Sequence, residues 1–584
     1  MTLRYELNFN QYHDHLVHVN LTFTAPTDSP TLWLPTWIAG SYLVREFAKH
    51  IAQVSYHTDT DHIAQKTNKN TFVLPHVKQG DIVNVSYDVY CHDLSVRTAF
   101  VDNTRIFGNF TSLLLMVSSQ EQSPCQISLS VPQAFLAQNP STHLASGLKH
   151  QTHTSDDGVV YVFDDVVAFD SYDYPFEIGT QSVFDFDVMV GDKAVNHRFF
   201  IAGRHQANLV RLKNDVAKIC QSYTDWLGDV PFDDYTFMTM ATGSEYGGLE
   251  HINSTALITP RTDLPSTLES DEPSADYQRF LGLCSHEYFH AWWVKSVKPD
   301  VMMDNDLTQE SYTPLLWVFE GFTSYLDDLM LLRSGVINKD SYLKLLTAQL
   351  NRYTQTDGRH YQSVAESSFD TWIKLYRPDE NTQNQSVSYY NKGALVALCL
   401  DLMLIKSGHR LFDVVKVFYD KAQKSPDKRY GLTTDELGVV IADMMGADKW
   451  QAFYDDYVIG TKEMPLIQLL GSVNIDTHQT SKPKTWGMNI KDDPIGLKIT
   501  HIHRDSMASG AGLSFNDVIV AIDGIKADKD HLERTAKLAY HTKSDVKLHV
   551  FRRDELMMFT ITSGQPVKHD EYRLMGDGSG WLDF

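Results

Sequence analysis

His286-Glu287-Tyr288-Phe289-His290 constrains this chain more than any other segment. Histidines four residues apart face the same way on an α-helix, one turn above the other. Two imidazoles at that spacing can hold one Zn²⁺, and the glutamate between them can reach the water that such a metal activates. The flanks agree with a helix. Phe280, Leu281, Leu283 and Cys284 precede the motif, Phe289 lies within it, Trp292 and Trp293 follow, and no Gly or Pro interrupts Leu283 to Val294. A mostly apolar helix must satisfy His, Glu and His in its middle when they are buried, and a metal does this. The plainer alternative is an amphipathic core helix with two partly buried histidines.

A third ligand is offered by Glu320, in Trp317-Val318-Phe319-Glu320-Gly321-Phe322-Thr323-Ser324-Tyr325. Leu315, Leu316, Phe319, Phe322, Leu326, Leu329 and Met330 recur at helical spacing and predict a second helix here. A carboxylate among aromatics needs a metal or a cation when buried. Two histidines and one glutamate leave the fourth zinc position open, as in catalytic rather than structural sites. The alternative for Glu320 is a helix-start acid that caps or pairs.

A length of 584 residues suggests three or four domains. The net charge of −23 argues against a nucleic-acid partner, since phosphate binding needs a basic surface, and is compatible with cationic ligands such as peptide amino termini. Cys91, Cys125, Cys220, Cys284 and Cys399 are odd in number and form no CxxC pair, which fits reduced thiols in a cytoplasm. Residues Met1 to Leu7 contain no apolar signal region, and no run of 18 apolar residues occurs, so neither export nor a membrane span is expected.

The chain reads as multidomain α+β. Residues 1–165 are expected to be all-β and sandwich-like, because Leu3, Tyr5, Leu7 and Phe9 alternate with polar residues. So do Val17 to Phe23, Val83 to Val89, and Ile127 to Val131. Residues 166–465 are expected to form a mainly helical catalytic domain. Phe184 to Val190 still alternate there, Leu209 to Trp226 follow a helical period that ends at Gly228, and Tyr235 to Met240 reads as a strand. Thr433-Thr434-Asp435-Glu436 forms a capping box that opens a later helix. Beyond a polar connector, Thr477 to Lys484, residues 480–570 resemble a bacterial-type PDZ domain, with Ile495 to Ile502 as a strand and Ala511-Gly512-Leu513 followed by Asp517-Val518-Ile519 and Gly524.

Together these segments make the chain similar to the glycyl aminopeptidase family of zinc metallopeptidases that carry a C-terminal PDZ domain. Pro35 to Phe47 is similar to the family's "W.PGSY..R" segment, with Ala39 in place of its proline. Gly247-Gly248-Leu249-Glu250-His251 matches its GGLEH, His286 to Lys295 matches "HE.FH.W.VK", and Glu320 to Tyr325 matches "EGFT.Y". The resemblance implies a thermolysin-like catalytic domain with one Zn²⁺ per chain on His286, His290 and Glu320. It also implies Glu287 as general base and Glu250 as reader of a peptide's free amino terminus, with Gly247 and Gly248 admitting substrate backbone. His251 stands where broader relatives have Asn, and its role is left open. Those relatives also carry a "Y.KG" tyrosine that supports the oxyanion, which Tyr390-Asn391-Lys392-Gly393 fits, with Tyr389 adjacent. The expected substrate is a peptide with a free N-terminal Gly or Ala. The alternatives are a PDZ-containing zinc endopeptidase and a non-catalytic PDZ peptide-binding protein. The PDZ domain is expected to bind an extended peptide or a C-terminus by strand addition. Residues Gly578 to Phe584 are expected to be a flexible stretch able to dock in such a groove.

Overall fold

The computed structural model describes residues 3–304, 306–483, 485–562 and 568–583. The chain divides into two compact units, residues 1–312, 326–338 and 414–433 in one, and residues 313–325, 339–413 and 434–584 in the other.

In the first unit the period-two patterns become strands. Leu3, Tyr5, Leu7 and Phe9 are buried, as are Val17, Val19, Leu21, Phe23, Val83, Val85, Tyr87, Val89, Ile127, Leu129 and Val131. They line one face of an eight-stranded sheet. In it Leu3–Asn8 runs antiparallel to Leu16–Thr24 and parallel to Pro124–Pro132. A one-residue slip would turn every one of these side chains to water, so the register is strongly specified.

A second sheet positions the site. From its outer edge run β2 (Gly247–Glu250), β3 (Ser254–Pro260), β1 (Asp234–Thr242), Lys193–Ala202 and Pro175–Val190. Helix α1 (Leu209–Leu227) is capped by Asn208, whose side chain accepts from the Arg211 N–H, and it stops at Gly228 with φ 79°, as its sequence pattern predicts. Helix α2 (Ala275–Phe289) carries the His-Glu-His motif and is capped by Ser274. Tyr223 of α1 stacks on Phe289 and bonds Ser285 at 3.0 Å, which ties the two helices together. Phe280, Leu281 and Phe289 are fully buried, each contributing roughly 2 kcal/mol.

The uninterrupted run to Val294 predicts a longer helix than is found. Helix α2 ends at Phe289, with His290 as its cap. The chain then turns back so that the Trp293 carbonyl meets the His290 ring at 2.9 Å, with Val294 at φ 146°. A continued helix would aim that carbonyl along the axis, away from the ring. No helix among the described residues is long and apolar enough to cross a membrane.

The second unit is mainly helical at its start. A π-turn, Trp317–Gly321, leads into helix α3 (Phe322–Arg333), of which residues 322–325 belong to this unit, and α4 (Asn391–Ile405) crosses the π-turn. A Cβ on Gly321 would lie 2.7 Å from Gly393, and one on Gly393 would lie 3.0 Å from Gly321. Glycine at both positions is what permits this close crossing. The PDZ sheet runs Met488–Asp493, Gly496–Ile502, Val518–Ile522, Val546–Arg552 and Glu555–Ile561, with Trp486, Ile499, Leu532 and Leu548 in its core. Asn384 fastens it to the helical part of the unit, donating to the Ile502 carbonyl at 2.9 Å and accepting from the Arg504 N–H at 3.1 Å.

The expectation of a flexible 578–584 stretch in a PDZ groove is overturned for the described residues. Trp581 and Leu582 are buried among helices of the same unit. The Trp581 indole donates to the Tyr325 hydroxyl at 3.0 Å, and that hydroxyl donates to Asp401 at 2.6 Å. Arg410 holds Asp401 at 3.0 Å and the Trp581 carbonyl at 3.2 Å. Lys339 holds Asp583 at 2.8 Å. A buried indole with its N–H satisfied is a packing element, and the sequence conceals this because its glycines mimic a linker. Trp581→Ala is expected to cost about 4 kcal/mol in chemical denaturation; a change under about 1 kcal/mol would contradict this packing role.

Candidate active site

Three acid and imidazole groups of the first unit converge. Ligand-type atoms of Glu250, Glu287 and His290 all lie within 4.8 Å of one another, and all three residues are buried. Edge strand β2 presents Glu250, and the last turn of α2 presents the other two. Glycines make the approach possible. A Cβ on Gly248 would lie 2.2 Å from the Glu287 carboxylate, and one on Gly40, at φ 90°, would lie 2.3 Å from that of Glu250. Gly40 belongs to the Pro35 to Phe47 segment, so the N-terminal β layer walls the Glu250 carboxylate. Glu250 Oε1 is buried with no hydrogen-bond partner among the described residues. Two buried carboxylates this close call for positive charge beside them.

The two imidazoles could hold a metal, and each is fixed by a partner. Their ring centroids are 4.7 Å apart. His286 Nδ1 meets Asp327 at 2.9 Å, and His290 Nδ1 meets the Trp293 carbonyl at 2.9 Å. Such acceptors fix the proton on Nδ1 and put each ring's lone pair on Nε2, the usual arrangement around a histidine-bound metal.

Behind this cluster His251 is fully buried, 3.3 Å from Asp173, which Lys295 also holds at 2.8 Å. Burial lowers the His251 pKa despite Asp173. Burial opposes ionisation of Asp173, but Lys295 and His251 hold its carboxyl well below the usual range. The structure thus gives His251 a positioning contact: it and Lys295, from two separate motifs, share one carboxylate of the β layer.

In the second unit Glu320 is buried on the π-turn. Tyr389 is fully buried and its hydroxyl accepts from Thr371 at 3.1 Å, the environment of a core tyrosine. Tyr390 is half-buried, and its hydroxyl is 3.1 Å from that of Tyr376. The adjacent tyrosines are therefore told apart by surroundings that the sequence does not display.

Residues 4–180 match the model of the M61 peptidase N-terminal domain, 279–396 that of the M61 glycyl aminopeptidase, and 475–551 that of the PDZ domain. The crystal structure of an aminopeptidase N family protein from Idiomarina loihiensis is 35% identical with a TM-score of 0.88, covering 98% of this chain and 98% of that one. The chain belongs to the M61 glycyl aminopeptidase family. As a member it is a hydrolase that acts on peptides. An M1 zinc metallopeptidase from Deinococcus radiodurans is 16% identical with a TM-score of 0.49, over 80% of this chain and 95% of that one. Yeast LTA4 hydrolase is 13% identical with a TM-score of 0.48, over 81% and 70%. No curated protein matches the chain.

Several residues around the candidate site of this M61 member escape sequence reasoning. Asp327 stands seven residues after Glu320, two helical turns on, and that spacing is the one signal for it. Asp173 and Tyr376 come from segments far from the motifs and carry no local signal, whereas Gly40 lies inside the Pro35 to Phe47 segment, whose sequence does not show that it meets Glu250.

Proposed function

We propose that this chain is a zinc aminopeptidase that removes an N-terminal Gly or Ala from peptides. His286, His290 and Glu320 are its metal ligands, a two-histidine, one-carboxylate donor set that leaves a position open. The Nδ1 hydrogen bonds of both imidazoles support this, since they direct Nε2 to a metal. One Zn²⁺ there would polarise the scissile carbonyl and acidify water. Glu287 takes the proton of the attacking water and hands it to the leaving amine. Tyr390 donates to the oxyanion, with Tyr376 setting the direction of its hydroxyl.

The observation that carries the exopeptidase reading is Glu250. Its buried Oε1 without a partner, beside Glu287, is matched by an α-ammonium, and that pairing fixes the first peptide bond over the metal ligands. Gly247 and Gly248 keep the strand open to substrate backbone. Aminoacyl p-nitroanilides with Gly or Ala are expected to turn over fastest in a panel of first residues. Glu250→Ala is expected to lower kcat/KM for free-amine substrates on the order of 100-fold, mostly through KM. N-acetylated substrates are expected to be poor with either protein. Equal cleavage of blocked and free peptides by the unaltered protein would refute the role of Glu250 and favour an endopeptidase.

The PDZ domain supports a peptide partner, with Met488–Asp493 as the edge strand for addition. All five cysteines are unpaired and buried, which supports a reducing, cytoplasmic location. Boundaries near residue 165 and between 465 and 480 complete the proposed organisation.

A further inference from the structure

Edge strand β2 offers a short lane for substrate. The His251 N–H bonds the Ser254 carbonyl at 2.8 Å across the hairpin with β3. In an antiparallel pair bonded and non-bonded positions alternate, so Leu249 and Gly247 also face β3, while Glu250 and Gly248 direct their backbone groups outward. The outward Gly248 carbonyl is already taken: Arg97 Nη2 donates to it at 3.1 Å. The same guanidinium would lie 3.6 Å from a Cβ on Gly247. A cation therefore closes the lane two residues from Glu250.

The loop holding Arg97 is braced. Asn109 donates to the carbonyls of Val96 and Thr98, both at 3.0 Å, and the Arg97 N–H bonds Ser95 at 3.1 Å. Arg97 Nε is buried with no hydrogen-bond partner, and no ion pair to Arg97 occurs among the described residues. One carbonyl satisfies little of a group with five N–H donors. Two strand residues span ~7 Å, close to the ammonium-to-carboxylate length of an extended dipeptide.

We infer that Arg97 binds the terminal carboxylate of the substrate and makes dipeptides the preferred substrate class. This rests on Glu250 binding the substrate amine. An Arg–carboxylate contact would add fixed geometry at one end of the lane while Glu250 fixes the other.

The test compares Ala-Ala with its C-terminal amide on the zinc-loaded protein and on Arg97→Met. The unaltered protein is expected to favour the free carboxylate in kcat/KM by on the order of tenfold or more. Arg97→Met is expected to bring that ratio near one by lowering kcat/KM for the acid far more than for the amide, a split that a merely structural arginine, whose loss would weaken both alike, would not produce. Arg97→Lys is expected to restore part of the preference. Calorimetric titration of Glu287→Gln protein with both ligands reads the same preference without turnover. Equal handling of acid and amide by the unaltered protein, or a preference that survives in Arg97→Met, would overturn the inference. Absence of turnover of both compounds would instead count against the aminopeptidase reading, and the calorimetric arm would still decide on Arg97.

Discussion

Glu287→Gln is expected to lower kcat about a thousandfold while metal content and folding stay unchanged. The amide keeps the size and much of the hydrogen-bonding capacity of the carboxylate but cannot accept a proton at neutral pH. The side chain lies one residue after His286 and three before His290, so its chemistry can be altered without touching the imidazoles. Gly248 packs against this carboxylate, with no room for a Cβ, so the substituted amide remains confined to the same place. KM should change little, because Glu250 and not Glu287 holds the substrate amine. A metal-loaded Glu287→Gln protein with ordinary turnover would remove the general-base assignment.

Metal removal is expected to abolish turnover altogether, and one equivalent of Zn²⁺ per chain should restore it. Every proposed step needs the metal's polarising charge, and no other cation of the described site can stand in for it. The second sphere gives a graded version of the same experiment. Asp327→Asn leaves the ligands in place but weakens the acceptor that orients His286. It is expected to reduce zinc affinity roughly 10–100-fold, read by competition with a chromophoric chelator. Full activity in protein shown to be free of metal would defeat the zinc reading.

The strands of the β layer were legible because burying one face of a sheet imposes a period of two, and Leu3 to Phe9 or Val17 to Phe23 display it without interruption. The helix bearing His286 and His290 was legible in kind but not in length. Its end is set by a carbonyl returning to a histidine ring, a tertiary requirement that helical propensity does not encode. Glu320 sits on a π-turn instead of the expected plain helix, because the Gly321–Gly393 crossing decides the local geometry. Tyr389 and Tyr390 are equivalent in sequence and differ only in what surrounds them. Arg97 and Asp173 act over long stretches of chain, and no local pattern marks a residue whose partner is brought by topology.

The packing of Trp581 has a consequence for how the chain comes into being. Tyr325, Asp401 and Arg410 surround an indole that is 256 residues downstream of the first and 171 downstream of the last. At about 5–20 residues per second, a ribosome needs on the order of ten to thirty seconds to travel from Arg410 to Trp581. Through that interval Tyr325, Asp401 and Arg410 have been made but the indole that packs against them has not. The helical part of the unit thus cannot receive its last buried side chain until the whole PDZ domain has been made.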